Sequence, residues 1–150
     1  VQSQDHGREE LETTVINTNP VSADVRSEWH WVRPGIEEVL KEHPQLTFIP
    51  EDIYTACATQ RAGLWVAPEG FVVTTTEVDQ FNGKKTCLIW VAWARERGQN
   101  CAVKYQEFFA SVAAESGYDY LETRTPISAM EKYFLNTGWE KDTVIYTRKL

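Results

Sequence analysis

The run from Thr86 to Gly117 constrains the fold more than any other part of the chain. Thr86-Cys87-Leu88-Ile89-Trp90-Val91-Ala92-Trp93-Ala94 is apolar at nearly every position, on both alternating faces. A half-exposed strand would alternate, so this one reads as a central strand covered on both sides. The polar stretch Arg95-Glu96-Arg97-Gly98-Gln99-Asn100 follows. Tyr105, Phe108, Phe109, Val112 and Ala113 then recur at helical spacing, so a helix over 102–116 packs back on the sheet. Asn100 suits the cap of that helix, and Gly117 suits the left-handed residue past its end. A helix start offers backbone N–H groups with no intrahelical partner, a place where phosphates bind. The same residues also suit an ordinary strand–loop–helix connection.

A chain of 150 residues, 42% hydrophobic and with six Trp, is most simply one domain with one core. A net charge of -7 with no Lys/Arg cluster argues against a nucleic-acid surface. Cys57, Cys87 and Cys101 are odd in number and lack metal-ligand spacing, and His6, His30 and His43 are scattered. No metal is expected, and reduced thiols point to the cytoplasm. No apolar run reaches membrane-spanning length and no signal peptide is read; Val1 suits a removed initiator Met.

Residues 1–21 read as an extended polar arm, and 22–150 as the folded domain. Such an arm becomes ordered only against its own domain or a neighbouring subunit. Ser22 or Asp24 can cap a helix carrying Val25, Trp29 and Val32, which Arg33-Pro34-Gly35 interrupts before Ile36, Val39 and Leu40 resume the stripe. A second helix is expected over 50–59, with Pro50 in its first turn, Glu51 and Asp52 at its positive end, and Ile53, Tyr54 and Cys57 on one face. Leu64–Ala67 and Phe71–Asp79 form a hairpin about Pro68-Glu69-Gly70, and Asn82-Gly83 is a two-residue turn into the central strand. Tyr118–Arg124 is a strand, Pro126 opens a helix ending near Gly138, and Thr143–Arg148 is a final strand. The order α-α-β-β-β-α-β-α-β gives an α/β (α+β) fold, with a mixed central sheet and flanking helices.

That order resembles the GCN5-related N-acetyltransferase (GNAT) fold. The family's Gln/Arg-x-x-Gly-x-Gly/Ala loop holds the pyrophosphate of acetyl-CoA. Arg95-Glu96-Arg97-Gly98-Gln99-Asn100 matches its Arg and first Gly, with Asn100 where Gly or Ala is usual. Gly138-Trp139 is similar to the Gly-Phe that ends the family's last helix. The Tyr that often protonates the departing thiolate falls on Phe134, beside Tyr133, and the family's Asn falls on Ile127. The segment 124–150 is similar to GNAT-like proteins of bacteriophages, some of which lie inside the virion.

The resemblance implies an acyl-CoA-dependent N-acyltransferase. Trp93, Ala94, Arg95, Arg97, Gly98, Gln99 and Asn100 are its acetyl-CoA-binding candidates. Glu77, Asp79 and Glu122 are the candidate bases, and Tyr133 or Tyr120 stands in as acid. These carboxylates also read as wet ends of strands. Trp90 and Trp93 are expected on opposite sides of the central strand, one of them near the pantetheine channel. Trp29 and Trp31 read as core or as an interface. Asn100, Phe134, Ile127 and the polar arm also suit an inactive GNAT fold held by residues 1–21 in an assembly such as a phage particle. A CoA-sensing module is the third reading. The protein is expected in the cytoplasm, or in the virion if phage-encoded.

Overall fold

A computed structural model of the chain describes residues 18–125 and 129–150. A short strand, β1 (Val21–Ala23), comes first, and Asp24 then caps α1 (Val25–Glu42) by accepting from the Arg26 N–H at 2.9 Å. Ser22 belongs to β1, a strand that periodicity did not predict because three residues carry no pattern.

Helix α1 runs through Pro34 without interruption. The cost of the missing N–H falls on the carbonyl of His30, an exposed residue. Gly35 faces inward instead. A Cβ there would lie 2.7 Å from Phe71 and 2.8 Å from Trp93, so glycine lets α1 approach the sheet closely. The apolar stripe on either side of Pro34-Gly35 outweighs the local preference against helix. Helix α2 (Pro50–Ala58) follows as expected, and Trp29 meets Tyr54 edge-on at 5.0 Å to join the two helices.

Strands β2 (Ala62–Ala67), β3 (Gly70–Val78), β4 (Lys85–Ala94) and β5 (Tyr120–Thr123) complete a sheet in the order β1-β2-β3-β4-β5. All neighbours are antiparallel except β4 and β5, which are parallel. Between β4 and β5 lie α3 (Cys101–Lys104) and α4 (Gln106–Glu115), where the sequence suggested one helix; Tyr105 breaks it. Asn100 caps α3, and Gly117 takes φ +83 after α4. Helix α5 (Met130–Asn136) closes with Gly138 at φ +93. Pro126 and Ile127, expected in that helix, lie outside the described residues, as does the arm through residue 17.

One core cluster lies between the sheet and α1 and α2. Val32, Ile36, Ile53, Phe71 and Val73 are fully buried in it. The second sits under α3 and α4, around Val72, Ile89, Cys101, Tyr105 and Phe109. Each buried side chain of this size contributes roughly 1.5–3 kcal/mol.

Three sequence expectations about strands are corrected. The β3–β4 connection is a loop over 79–84 closed by the Asp79 side chain, rather than a two-residue turn at Asn82-Gly83. Thr143–Arg148 forms no strand, and Ile145 and Tyr146 are 80% and 91% exposed. Its alternation is strand-like, but a strand needs a neighbour. Finally, Val73 pairs with Val91 while Thr74 pairs with Ile89, leaving Trp90 as a bulge in β4. The extra residue resets the alternation. Trp90 and Trp93 therefore both pack against the first cluster, on one side of the sheet rather than two.

Candidate functional site

Parallel strands β4 and β5 stay together only from Thr86↔Tyr120 to Ile89↔Thr123. β4 runs on through Trp90 to Ala94, and no described strand lies against its β5-facing edge there. The bulge at Trp90 sits where the two strands part. A bulge re-aims the strand and ends regular pairing, so this part of β4 carries backbone groups that no described strand pairs.

The loop over 95–100 continues from this edge of β4. Gly98 has φ +82, and a Cβ there would meet nothing within 4 Å. Its glycine thus serves the backbone turn and leaves space above it. Asn100 Oδ1 accepts from the N–H groups of Ala102 at 2.9 Å and Val103 at 3.2 Å. Those two donors are occupied by the chain's own side chain. The N–H groups of Gly98, Asn100 and Cys101 make no hydrogen bond among the described residues. Gln99 turns inward on the loop, its amide donating to Glu96 at 3.3 Å.

The two arginines differ. Arg95 lies with its guanidinium 4.6 Å from the Trp31 ring and 5.9 Å from the Trp93 ring, and donates to the Pro68 carbonyl at 3.3 Å. It fastens the end of β4 to α1, so Trp31 is a packing residue. Arg97 is exposed and makes no hydrogen bond or ion pair among the described residues. Trp93 stacks on Phe71 at 5.6 Å and donates its indole N–H to Glu38 at 3.2 Å, and Ala94 pairs with Gly70. That last contact needs glycine: a Cβ on Gly70 would come within 2.0 Å of the Trp93 carbonyl oxygen.

Two of the three candidate bases, Glu122 and Glu77, are brought together, and Asp79 lies apart. Glu122 pairs across from Leu88, one step before β4 and β5 separate. Glu77 pairs with Thr86, further down the sheet, and Arg124 joins the two carboxylates at 2.7 Å to Glu122 and 2.9 Å to Glu77. Burial works against the charge on Arg124, but Glu122 and Glu77 outweigh it and hold the guanidinium above its ordinary value. Asp79 lies past the end of β3, next to the start of β4, about 30 Å from Ala94 at ~3.3 Å per residue. Its carboxylate accepts from the N–H groups of Phe81 and Asn82 at 2.8 and 3.1 Å, the Asn82 and Phe81 amides hold it below its usual range, and the hairpin loop is its task. Tyr120 is exposed on β5 beside Lys84. The Tyr133 hydroxyl accepts from Gln106 of α4 at 3.2 Å, while Gln106 also accepts from the Trp139 indole at 2.7 Å. Phe134 packs edge-on against Trp139 at 5.3 Å.

A polar cluster that periodicity did not flag lies at the loop end of the sheet. Glu69, in the β2–β3 turn, accepts from Lys104 and, at 2.6 Å, from the Tyr105 hydroxyl; its backbone carbonyl accepts from the Arg95 N–H at 2.8 Å. Burial opposes the Glu69 charge, yet Lys104 and Tyr105 prevail and keep its carboxyl below the ordinary value. Burial and then Glu69 push the Tyr105 hydroxyl well above its own. Beside them, burial pushes the Cys101 thiol up to about 11. Tyr105 reads as plain core from spacing alone; only its distance to Glu69 reveals the hydroxyl's partner. A cavity of about 560 Å³ lies at the opposite end of the sheet, reached by Cys57, Arg61, Thr74, Thr76 and Tyr118, away from the loop. Among the described residues no group of His, Cys, Asp and Glu could hold a metal ion, and no helix is long and apolar enough to cross a membrane.

No protein-family model matches the sequence, and no curated protein matches it either. Solved structures do. A ribosomal-protein-alanine N-acetyltransferase from Brucella melitensis biovar Abortus 2308 aligns at TM-score 0.64 and 14% identity, over 88% of this chain and 99% of that one. A "predicted acetyltransferase with acetyl-CoA" from Clostridium acetobutylicum aligns at TM-score 0.65 and 11% identity, over 87% and 95%. An aminoglycoside acetyltransferase from an uncultured soil metagenomic sample, in complex with sisomicin, aligns at 0.62 and 12%, over 88% and 95%. At such identities the likeness carries the fold, and the chain has the GNAT-like fold of these acetyltransferases.

Proposed function

We propose that the chain is an acyl-CoA-dependent N-acyltransferase whose cofactor lies along the open edge of β4 with its pyrophosphate at the Gly98 loop. The observation that carries this reading is that β4–β5 pairing ends at Ile89, beside a bulge, and β4 runs on to Ala94 and a glycine loop with N–H groups that no described residue accepts. Nothing lies within 4 Å of a Cβ built on Gly98, which leaves a phosphate room to approach, and the acetyl-CoA in the Clostridium acetobutylicum neighbour supports the same cofactor class. Bound acetyl-CoA supplies a thioester to the attacking amine.

This chain's residues then have definable tasks. Free N–H groups of the Trp90–Ala94 edge hydrogen-bond the carbonyl oxygen where negative charge develops. Arg97 meets the phosphates, while Arg95, through Trp31 and Trp93, fixes the strand end from which the loop departs. Glu122 is the base nearest the opening and takes the amine proton, directly or through water, with Arg124 orienting its carboxylate. Glu77 shares that guanidinium. Tyr133 is the acid that donates a proton to the leaving thiolate, Gln106 holding its hydroxyl.

Calorimetric titration with acetyl-CoA tests the proposal, with Gly98→Glu as the control. Micromolar binding, about −8 kcal/mol, that the control abolishes supports it; no binding by the native chain overturns it. A second reading rests on Asn100, which occupies the Ala102 and Val103 amides, and on Phe134, which lacks a hydroxyl. In that reading the fold is kept without transfer, and the arm over 1–21 places it in an assembly, such as a phage virion. Failure of acetyl-CoA to bind, with co-purifying partners lost on removal of the arm, favours it.

A further inference from the structure

The cavity at the far end of the sheet from the Gly98 loop has no part in the proposed transfer. Ser22 pairs with Trp65 and Gly63 with Thr74, so these residues share one face of the sheet with Thr76. Tyr118 adjoins that face, its hydroxyl bonded to Thr76. The Trp65 indole N–H donates to Thr74 Oγ1 at 3.0 Å. Thr74 is only 9% exposed, and its own hydroxyl hydrogen has no acceptor among the described residues. At the rim, Arg61 donates through Nε to Thr59 at 3.1 Å. That bond holds a guanidinium whose two terminal nitrogens have no partner among the described residues. The charged lining residues are Asp24, Arg26 and Arg61, a local positive excess in a chain of net charge -7.

Two residues of the lining run against backbone preference, in opposite senses. Gln60 takes φ 61 at the end of α2, where the Arg61 N–H reaches back to the Ala56 carbonyl at 2.8 Å. Glycine would serve that left-handed position without strain. Gly63 lies inside β2, where a side chain would favour the strand. It has no positive φ, and an added Cβ would stand at ordinary contact distances, 3.4 Å from Trp65 Nε1 and 3.5 Å from Thr74 Oγ1. Neither packing nor backbone geometry calls for glutamine at 60 or glycine at 63, yet both open onto one cavity. Local preferences set aside together mark a functional site.

We infer that this cavity binds a small, hydroxyl-bearing phosphate monoester, such as a sugar phosphate. The free guanidinium nitrogens of Arg61 take the phosphate as a bidentate pair. The Thr74 hydroxyl and the Gln60 amide meet the ligand's hydroxyl groups, and the bare backbone at Gly63 lets the ligand lie against the strand. The volume, about 560 Å³, suits a small molecule. The site goes beyond the acyltransferase reading and does not depend on it.

The test is titration of the nitrogen-labelled full chain with glucose-6-phosphate and glycerol-3-phosphate, followed by nuclear magnetic resonance. The expected result is saturable shifts of the Trp65 indole and the Gly63 amide, with the Gly98 amide unmoved. Glucose alone and inorganic phosphate should each bind about tenfold more weakly, and Arg61→Gln should cost the esters a similar factor. Gln60→Gly and Gly63→Ala should raise the urea midpoint yet weaken binding, a pair of opposite signs that a purely structural role would not give. No saturable shift with either ester overturns the inference, as do shifts confined to other residues. Inorganic phosphate that binds as tightly as the esters overturns the ligand class, and native affinity in Arg61→Gln, or in both stabilised variants, overturns the site.

Discussion

The antiparallel part of the sheet and the part that follows Thr123 obey different rules. From α1 to β4 the large apolar groups are mostly enclosed, apart from Ile49, Val78 and Phe81: Phe71, Ile36 and Ile53 are fully buried, and Gly35 and Gly70 sit where a methyl group would collide. Beyond Thr123 no residue of α5 is buried, and Leu135, Val144, Ile145 and Tyr146 are exposed. Antiparallel neighbours joined by short turns pair along their whole length, whereas the parallel pair β4–β5 separates after its fourth rung. Burial is therefore concentrated in one region, and the β4 edge proposed to hold the cofactor lies at its border with the other.

The comparison breaks first at two phenylalanines. Phe71→Ala should cost about 3–5 kcal/mol in urea unfolding, and Phe134→Ala about 1 kcal/mol. Equal costs would place α5 inside the cooperative core. Next is the polar cluster that ties the loop end of the sheet to α3. Glu69→Gln should cost about 1–3 kcal/mol at pH 7. The Glu69 carboxyl is held below its ordinary value, so its contribution is full above about pH 4.3 and fades as acid titrates the folded protein. The native and variant unfolding energies should thus converge on acidification. A gap that stays constant with pH would assign the effect to packing.

Asn100→Gly sharpens the border itself. It removes the cap on Ala102 and Val103 for a few tenths of a kcal/mol, and frees two donors at the loop. Acetyl-CoA affinity should rise about tenfold, or 1.4 kcal/mol; an unchanged constant in the calorimeter would detach those amides from the site. The smallest effect concerns thiols. Burial pushes Cys57 and Cys101 each up to about 11, so about one in a thousand is thiolate at pH 8. Alkylation should be slow until urea unfolds the chain, and rapid labelling of Cys101 alone would show α3 opening independently of the rest.

The sequence by itself determined those elements whose pattern repeats. β4 is apolar on both faces, α2 carries Pro50 and its acidic residues at the positive end, Asn100 caps, Gly117 terminates, and their order gives antiparallel β2–β4 and the parallel crossover to β5. Patterns of this kind are local, so they are readable without knowing what lies across the core. Tertiary structure decided everything that depends on a neighbour. Pro34-Gly35 looked like a break, but continuous burial carried α1 across it, and the glycine let Phe71 and Trp93 come close. One residue inserted in β4 against β3 moved Trp90 to the side of Trp93 and placed the bulge where β5 departs. The contacts of Arg95 with two indole rings, and of Asp79 with the hairpin amides, depend on partners that no local pattern names. Thr143–Arg148 has the sequence of a strand and no ladder, because pairing is a property of two segments and a sequence pattern describes only one.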